Sequence, residues 1–263
     1  VVVVKIGMIG GSGFDDPDFL TDVRRVKKGT PFGGLSGDLL IGKAGDVEVV
    51  LLSRHGSGHR IPPALVNYRA HLWAMKEEGV THIIATSACG SLRDEIEPGH
   101  LVFPDQFIDR TRNRKSSFYE GDQVVHIAMA DPFCSRLRQI LIDTATADGI
   151  THHPTGTIVT IEGPRFSTRA ESKMFRMWGG DIINMSTVPE VVLAREAGIC
   201  YALAAMSTDY DTWHESEEPV TWEMIATTMR KNVDNVKKIF FRALPRITYE
   251  TCECRTAIQN ALV

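Results

Sequence analysis

Four consecutive apolar residues, Val49-Val50-Leu51-Leu52, run directly into Ser53-Arg54-His55-Gly56. Neighbouring side chains on a strand point to opposite sides, so such a run must be covered on both faces. Similar runs recur along the chain, and residues 2–9, 39–42, 47–53, 82–87, 100–103, 155–161, 181–184 and 199–207 read as strands. Between them lie helical patterns at 64–78, 135–148, 168–178, 187–197 and 221–241. Pro63 stands where the first helix would begin and Gly79 where it would end. After Ser135, the apolar residues Leu137, Ile140 and Leu141 recur at helical spacing. Strands alternating with helices predict an α/β fold: one domain over residues 1–263, with a mixed, largely parallel central sheet flanked by helices.

Composition narrows the partners. The chain has 263 residues, 43% hydrophobic and 24% charged, enough apolar side chain for a substantial core. A net charge of -4 argues against a nucleic-acid surface, which needs cations to neutralise phosphates. No apolar stretch approaches the roughly 20 residues of a membrane span. Val1 to Val4 lack the basic flank and cleavage site of a signal peptide. A cytosolic protein is expected, with the nucleus also open to it. Of the five cysteines, Cys89 and Cys200 lie in apolar stretches and are expected reduced in the core. Cys252 and Cys254 are too few and too close to make a zinc site by themselves, and read as two thiols on a tail. His55 and His59 would share a metal only on a helix, which Gly56 and Gly58 disfavour. No metal is expected.

In open α/β sheets, ligands gather beyond the carboxyl ends of strands, and six segments there carry polar chemistry. Gly10-Gly11-Ser12-Gly13 offers backbone N–H groups and a hydroxyl to an anion. Asp16 stands where a dinucleotide fingerprint needs its third glycine, and no Gly-Lys-Ser/Thr follows as in a Walker loop. Arg54, in a segment running to His59, could grip phosphate oxygens with a bidentate fork. Arg-His-Gly also occurs in histidine phosphatases, though there on the opening strand. Thr86 to Ser91 ends another buried strand in hydroxyls and small residues. Thr160 to Phe166 brings an aromatic that could stack on a flat ring or pack in the core, and Arg165 beside Glu162 reads equally as an ion pair. Asn184 to Glu190 fits a sugar-binding loop or a helix capped by Ser186 or Thr187. Finally, Asp209 and Asp211 emerge two apart after an apolar run. On extended backbone they share a side and could share a proton, or they could be a solvated acidic loop.

Taken in order, these segments and Asp105 to Thr111 resemble the purine nucleoside phosphorylase superfamily, most closely its 5'-methylthioadenosine branch, over about residues 5–245. The tail at 246–263 matches poorly. The resemblance implies a phosphorylase/hydrolase-like fold and the phosphate-dependent cleavage of 5'-methylthioadenosine, and of adenosine, to adenine and the sugar 1-phosphate. It implies a homotrimer with sites at subunit interfaces, no cofactor, and inorganic phosphate as co-substrate. By this resemblance Ser12, Arg54, His55, Ser87, Ala88 and Ser186 line the phosphate subsite. Met185 meets the ribose, Phe166, Ser167 and Thr208 border the base, and Asp209 and Asp211 face purine N7 and the 6-amino group. His59 lies near the 5' side, His126 is lent by a neighbouring subunit, Trp222 narrows the 5' pocket, and Leu262 approaches the neighbour's site. Serines at 12, 87 and 186 stand where adenosine-type members commonly carry threonine, which keeps the hydroxyls and removes the methyls. Rival readings are a 6-oxopurine phosphorylase, a catalytically inactive nucleoside-binding protein on the same fold, and a hydrolytic nucleosidase.

Overall fold

A computed structural model describes residues 3–11, 19–215, 222–250 and 252–262, and at 222, 224–227 and 260 the backbone alone. The chain opens with β1 (Lys5–Gly10), β2 (Thr21–Val26), the small hairpin β3 (Gly29–Thr30) and β4 (Gly33–Gly34), then β5 (Leu39–Ala44) and β6 (Val47–Ser53). Helix α1 (Tyr68–Glu77) leads to β7 (His82–Ser91), β8 (Leu101–Val102) and β9 (Gln106–Arg110). Next come α2 (Ser135–Ala147), β10 (His152–His153), β11 (Thr157–Ile161), α3 (Arg169–Met177), β12 (Ile182–Asn184) and α4 (Thr187–Ala197). The chain closes with β13 (Cys200–Tyr210), α5 (Trp222–Ala243) and the short α6 (Glu253–Thr256).

One large sheet runs in the order β10-β8-β13-β7-β1-β6-β5-β2, with β12, β11 and β9 branching from the end of β7. The pairs β6/β1, β1/β7 and β7/β13 at its centre are parallel, while β5/β6, β2/β5, β8/β13 and β12/β7 are antiparallel. The sheet is thus mixed and largely parallel at its centre, as expected.

Alternation along the central strands sorts side chains onto two layers. Ile6 and Met8 of β1, Val49 and Leu51 of β6, and Ala202, Ala204 and Met206 of β13 join one core with α2 and α5. Ile9, Val50, Leu52, Tyr201, Leu203 and Ala205 join the other, with α1 and α4. The apolar run at 49–52 is therefore divided between two cores, the arrangement that a strand covered on both faces demands.

The differences from the sequence reading have local causes. Strand β2 was not foreseen because its side chains are almost all exposed, leaving no apolar period. β9 is half-exposed and equally silent. β7 and β13 run on to Ser91 and Tyr210, past the apolar residues, because each supplies the other's ladder. The first strand starts at Lys5. The first helix starts at Tyr68, where the Asn67 side chain accepts from the Ala70 N–H, and Pro63–Leu65 form a separate 3-10 turn. Cys252 and Cys254 are not a loose tail: Cys254 is buried, Cys252 packs against the core, and its Sγ lies 3.7 Å from that of Cys134. Near the C-terminus, Leu262 bridges to Val125, and the His126 N–H donates to the Ala261 carbonyl. Among the described residues no helix is long and apolar enough to cross a membrane.

Candidate active site

A cavity of about 870 Å³ opens at the carboxyl ends of the central strands. Its wall takes in Gly11 beyond β1, Arg54, His55 and His59 beyond β6, Ser87 to Gly90 of β7, and Pro164, Phe166 and Ser167 beyond β11. Asn184, Met185 and Ser186 follow β12, Thr208, Asp209 and Asp211 come from the end of β13, and Met229 and Val233 of α5 close one side. The six polar segments, up to 200 residues apart in sequence, therefore meet in one place.

Two poles differ in kind. At the first, Ser87 Oγ lies 3.2 Å from Ser186 Oγ, and both lie within reach of the Asn184 side-chain N–H2, at 3.0 and 3.4 Å. Asn184 is itself oriented, donating to Thr187 Oγ1 (2.8 Å) and accepting from Thr160 Oγ1 (3.1 Å). Ser186 stands at the N-cap of α4 without capping it, its hydroxyl given to the cavity side. The Ser87 hydroxyl here donates to the Ala88 carbonyl at 2.9 Å; neutral hydroxyls that can rotate away from such internal partners, beside a helix N-terminus, are a setting suited to an oxyanion.

Arg54 lies beneath this pole, 1% exposed. The expected phosphate fork is already engaged: Nε and Nη2 donate to the two Glu190 oxygens at 2.7 and 2.8 Å. Nη1 donates to the Thr86 carbonyl at 2.9 Å, and the Tyr201 hydroxyl donates to Glu190 Oε1 at 2.7 Å. Burial opposes the charge on Arg54, but the Glu190 carboxylate outweighs it and holds the guanidinium above its ordinary range. With the second Nη2 proton directed at the Ile9 carbonyl (3.4 Å), one Nη1 proton of the five remains for a ligand, on the nitrogen that a side chain at Gly11 would approach within 3.6 Å. Arg54 is thus one half of a buried ion pair rather than a bidentate clamp. His55 is pushed down to about 3 by burial and by Arg54, so it is neutral. Its Nδ1 faces the Ile61 carbonyl at 2.9 Å and must carry the proton, leaving Nε2 as an acceptor. The His59 ring stacks on it at 4.2 Å.

At the other pole, β13 shifts register against β7 between Ser207 and Asp209. Such a bulge re-aims side chains at a strand end, and Asp209 and Asp211 both turn into the cavity, buried. Asn232 of α5 donates to the Ser207 carbonyl (3.1 Å), pinning the helix beside the bulge. Burial raises Asp209 from its ordinary value to about 7; the Thr208 hydroxyl, 2.6 Å from Oδ1, opposes this and Asp211 adds to it. Burial raises Asp211 as well. The solvated-loop reading of this pair is therefore wrong. Among the described residues Asp211 Oδ2 and Ser167 Oγ are buried without a hydrogen bond of ordinary geometry, although the Ser172 and Ser167 hydroxyls lie near enough to Asp211 to work against the upward push of burial; a bound molecule can engage this acceptor and this hydroxyl. Gly90 makes room here: a Cβ would lie 3.2 Å from Asp209 Oδ2. Gly163, with φ +67°, lets Met185 approach so closely that a Cβ would sit 2.6 Å from its sulfur.

Of the residues named from sequence, Arg54, His55, His59, Ser87, Ala88, Phe166, Ser167, Met185, Ser186, Thr208, Asp209 and Asp211 line this cavity. His126 does not; it is exposed on the segment paired with the C-terminus. Ser12 and the Trp222 side chain lie outside the described residues. Arg165 pairs with Glu171 (2.7 Å), not Glu162, which instead faces Arg114. Asn184 and Glu190 shape the site without a signal of that role in the sequence, and so do Met229 and Val233 of α5. Their only signal was a polar or apolar residue near a strand end or on a helix face.

The profile of the phosphorylase superfamily matches residues 5–245. S-methyl-5'-thioadenosine phosphorylase of Xenopus tropicalis is 54% identical over 94% of this chain and 90% of its own length. That of Thermofilum pendens is 49% identical over 99% of both. Methylthioadenosine phosphorylase from Schistosoma mansoni, solved with adenine, superposes with a TM-score of 0.94 at 44% identity, covering 98% of each chain. With the matched segments spanning all the strands that build the cavity, the chain belongs to the phosphorylase superfamily, within its methylthioadenosine phosphorylase family.

Proposed function

We propose that this chain cleaves the N-glycosidic bond of 5'-methylthioadenosine with inorganic phosphate, giving adenine and 5-methylthioribose 1-phosphate, and accepts adenosine as well. The observation that carries this reading is a single cavity with neutral oxyanion donors at one pole and a carboxyl raised to about 7 at the other. A phosphate oxygen forms the bond to C1' while the bond to N9 breaks, and the electron pair leaves with the purine. The charge that builds on the base is quenched by a proton from Asp209 at N7, which requires the raised pKa. Asp211 Oδ2 accepts from the 6-amino group, which favours adenine over a 6-oxo base, and Phe166 covers the ring. Ser87, Ser186 and the backbone at Ala88 would hold phosphate, joined by Ser12. The neutral His55, with only Nε2 free to accept, suits a protonated phosphate oxygen. Arg54 supplies positive potential through its one remaining N–H. Met185 would contact the ribose hydroxyls, and His59 and Trp222 would border the 5' group. No cofactor is required.

The working unit in this reading is a homotrimer in the cytosol, with His126 reaching a neighbour's 5' pocket. It is supported by the exposure of His126 away from its own cavity, and of Val124 and Leu262 around it. The direct test follows adenine released from 5'-methylthioadenosine with and without phosphate. Release that depends on phosphate supports the reading. Equal release without phosphate means a hydrolase, no release means a binding protein, and faster turnover of inosine means a 6-oxopurine enzyme.

A further inference from the structure

The opposite end of β13 holds a second cluster. Cys200 opens that strand, Cys134 precedes α2, and Cys252 and Cys254 flank the start of α6. The four Sγ atoms all lie within 4.8 Å of one another, and Cys134, Cys200 and Cys254 are buried. A tetrahedral ion bound at about 2.3 Å by four sulfurs separates them by about 3.8 Å, and Cys134 Sγ stands 3.7 Å from Cys252 Sγ. A void of about 10 Å³ opens beside Cys134, Cys200 and Cys252, the size of one small ligand rather than an organic molecule.

The surroundings suit negative charge. Arg195 Nη1 lies 3.6 Å from Cys254 Sγ. Arg255, the next residue, stacks on the Tyr249 ring at 3.4 Å, and its Nε and Nη2 find no hydrogen-bond acceptor among the described residues. Among the described residues no carboxylate belongs to the cluster, so its donor set is soft sulfur, the set that selects zinc over hard cations. From spacing alone the Cys-x-Cys pair is too small a site; the fold adds the two missing ligands from 52 and 118 residues upstream of Cys252.

We infer that Cys134, Cys200, Cys252 and Cys254 form a structural zinc site that staples the C-terminal segment to the start of β13 and the N-terminus of α2. Four S–H groups release their protons to solvent as four Zn–S bonds form; no oxidant takes part. With all four positions filled by protein the ion has no open site, so its role is structural. The strand from Cys200 to Asp209 spans about 30 Å at 3.3 Å per residue, so the ion sits well clear of the catalytic cavity. It fixes the tail, and through the Ala261 and Leu262 bonds the segment that carries His126.

The test is elemental analysis of the full chain, purified without chelators from zinc-supplemented cells, with thiols counted by mass spectrometry under non-reducing denaturation. The expected result is about one zinc per chain and no disulfide. Cys252→Ser and Cys254→Ser should each fall to about a tenth of that content or less, with a lowered Tm and faster proteolysis of the tail. Cys89→Ser, outside the cluster, should keep its zinc. Cobalt loaded in place of zinc should give the absorption of a tetrahedral thiolate complex, a readout that stands even if the serine variants fail to fold. A chain with no zinc and free thiols, a chain lighter by the hydrogens of one or two disulfides, or a different resident metal would each overturn the assignment.

Discussion

The two poles of the cavity handle charge in opposite ways. At the oxyanion pole the strongest ionic group is neutralised within the protein: Arg54 is locked to Glu190, and Glu190 also to Tyr201. What is left facing the cavity is hydroxyl and amide, tied by Asn184 into one network. At the base pole no cation among the described residues acts on the carboxyls, and burial drives Asp209 upward until it holds a proton near neutral pH. A pole meant to receive an anion needs rigid, satisfied dipoles. A pole meant to give a proton needs an acid that is poorly stabilised as an anion. The same depth of burial serves both, and the presence or absence of a counter-ion decides which.

The sharpest break of this contrast is Asp209→Ala. Loss of the acid should lower kcat by about 10² to 10⁴ while the KM for phosphate stays nearly unchanged, measured by steady-state kinetics with each substrate varied. A variant with both constants altered equally would mean that the poles are not separate.

Glu190→Ala strips the counter-ion from Arg54 and leaves a buried, unpaired cation. Breaking such a pair costs about 3–5 kcal/mol, so denaturant unfolding should show a loss of that order. An unchanged midpoint would mean that solvent reaches Arg54 and that the pole is not sealed.

Asp211→Asn exchanges an acceptor for a donor at the base edge. It should move the ratio of kcat/KM for adenosine and inosine toward inosine by about tenfold to a hundredfold, one to two hydrogen bonds' worth. The smallest effect is expected at the neutral pole, where Ser186→Ala removes one hydroxyl and should raise the phosphate KM by about 2–10-fold without changing base preference.

What could be read from sequence follows the same divide. Strand ends were legible because β6, β7 and β13 announce themselves as apolar runs, and whatever polar residues follow must emerge at one edge of the sheet. Asp209 and Asp211 could be named for that reason. What a residue touches was not legible. Arg54 looked like a phosphate fork because its type permits one, while its actual partner, Glu190, lies 136 residues away in the sequence and meets it only through the fold. The same blindness made Cys252 and Cys254 look like a tail, since Cys134 and Cys200 reach them only through the fold. β2 and β9 left no trace because exposed strands need no apolar period. The wall from α5 was hidden because Met229 and Val233 read as ordinary core positions of a helix.

The central claim is that a buried, uncompensated acid powers departure of the base, and a pH profile tests it most directly. An acid raised to about 7 is protonated and competent below that pH and is lost as a donor above it. kcat/KM for 5'-methylthioadenosine at saturating phosphate should therefore fall about tenfold per unit above pH 7. In Asp209→Asn that limb should vanish, leaving only the phosphate ionisation that both proteins share. A wild-type profile level from pH 6 to about 9, or an asparagine variant that keeps both the full rate and the alkaline limb, would contradict the account.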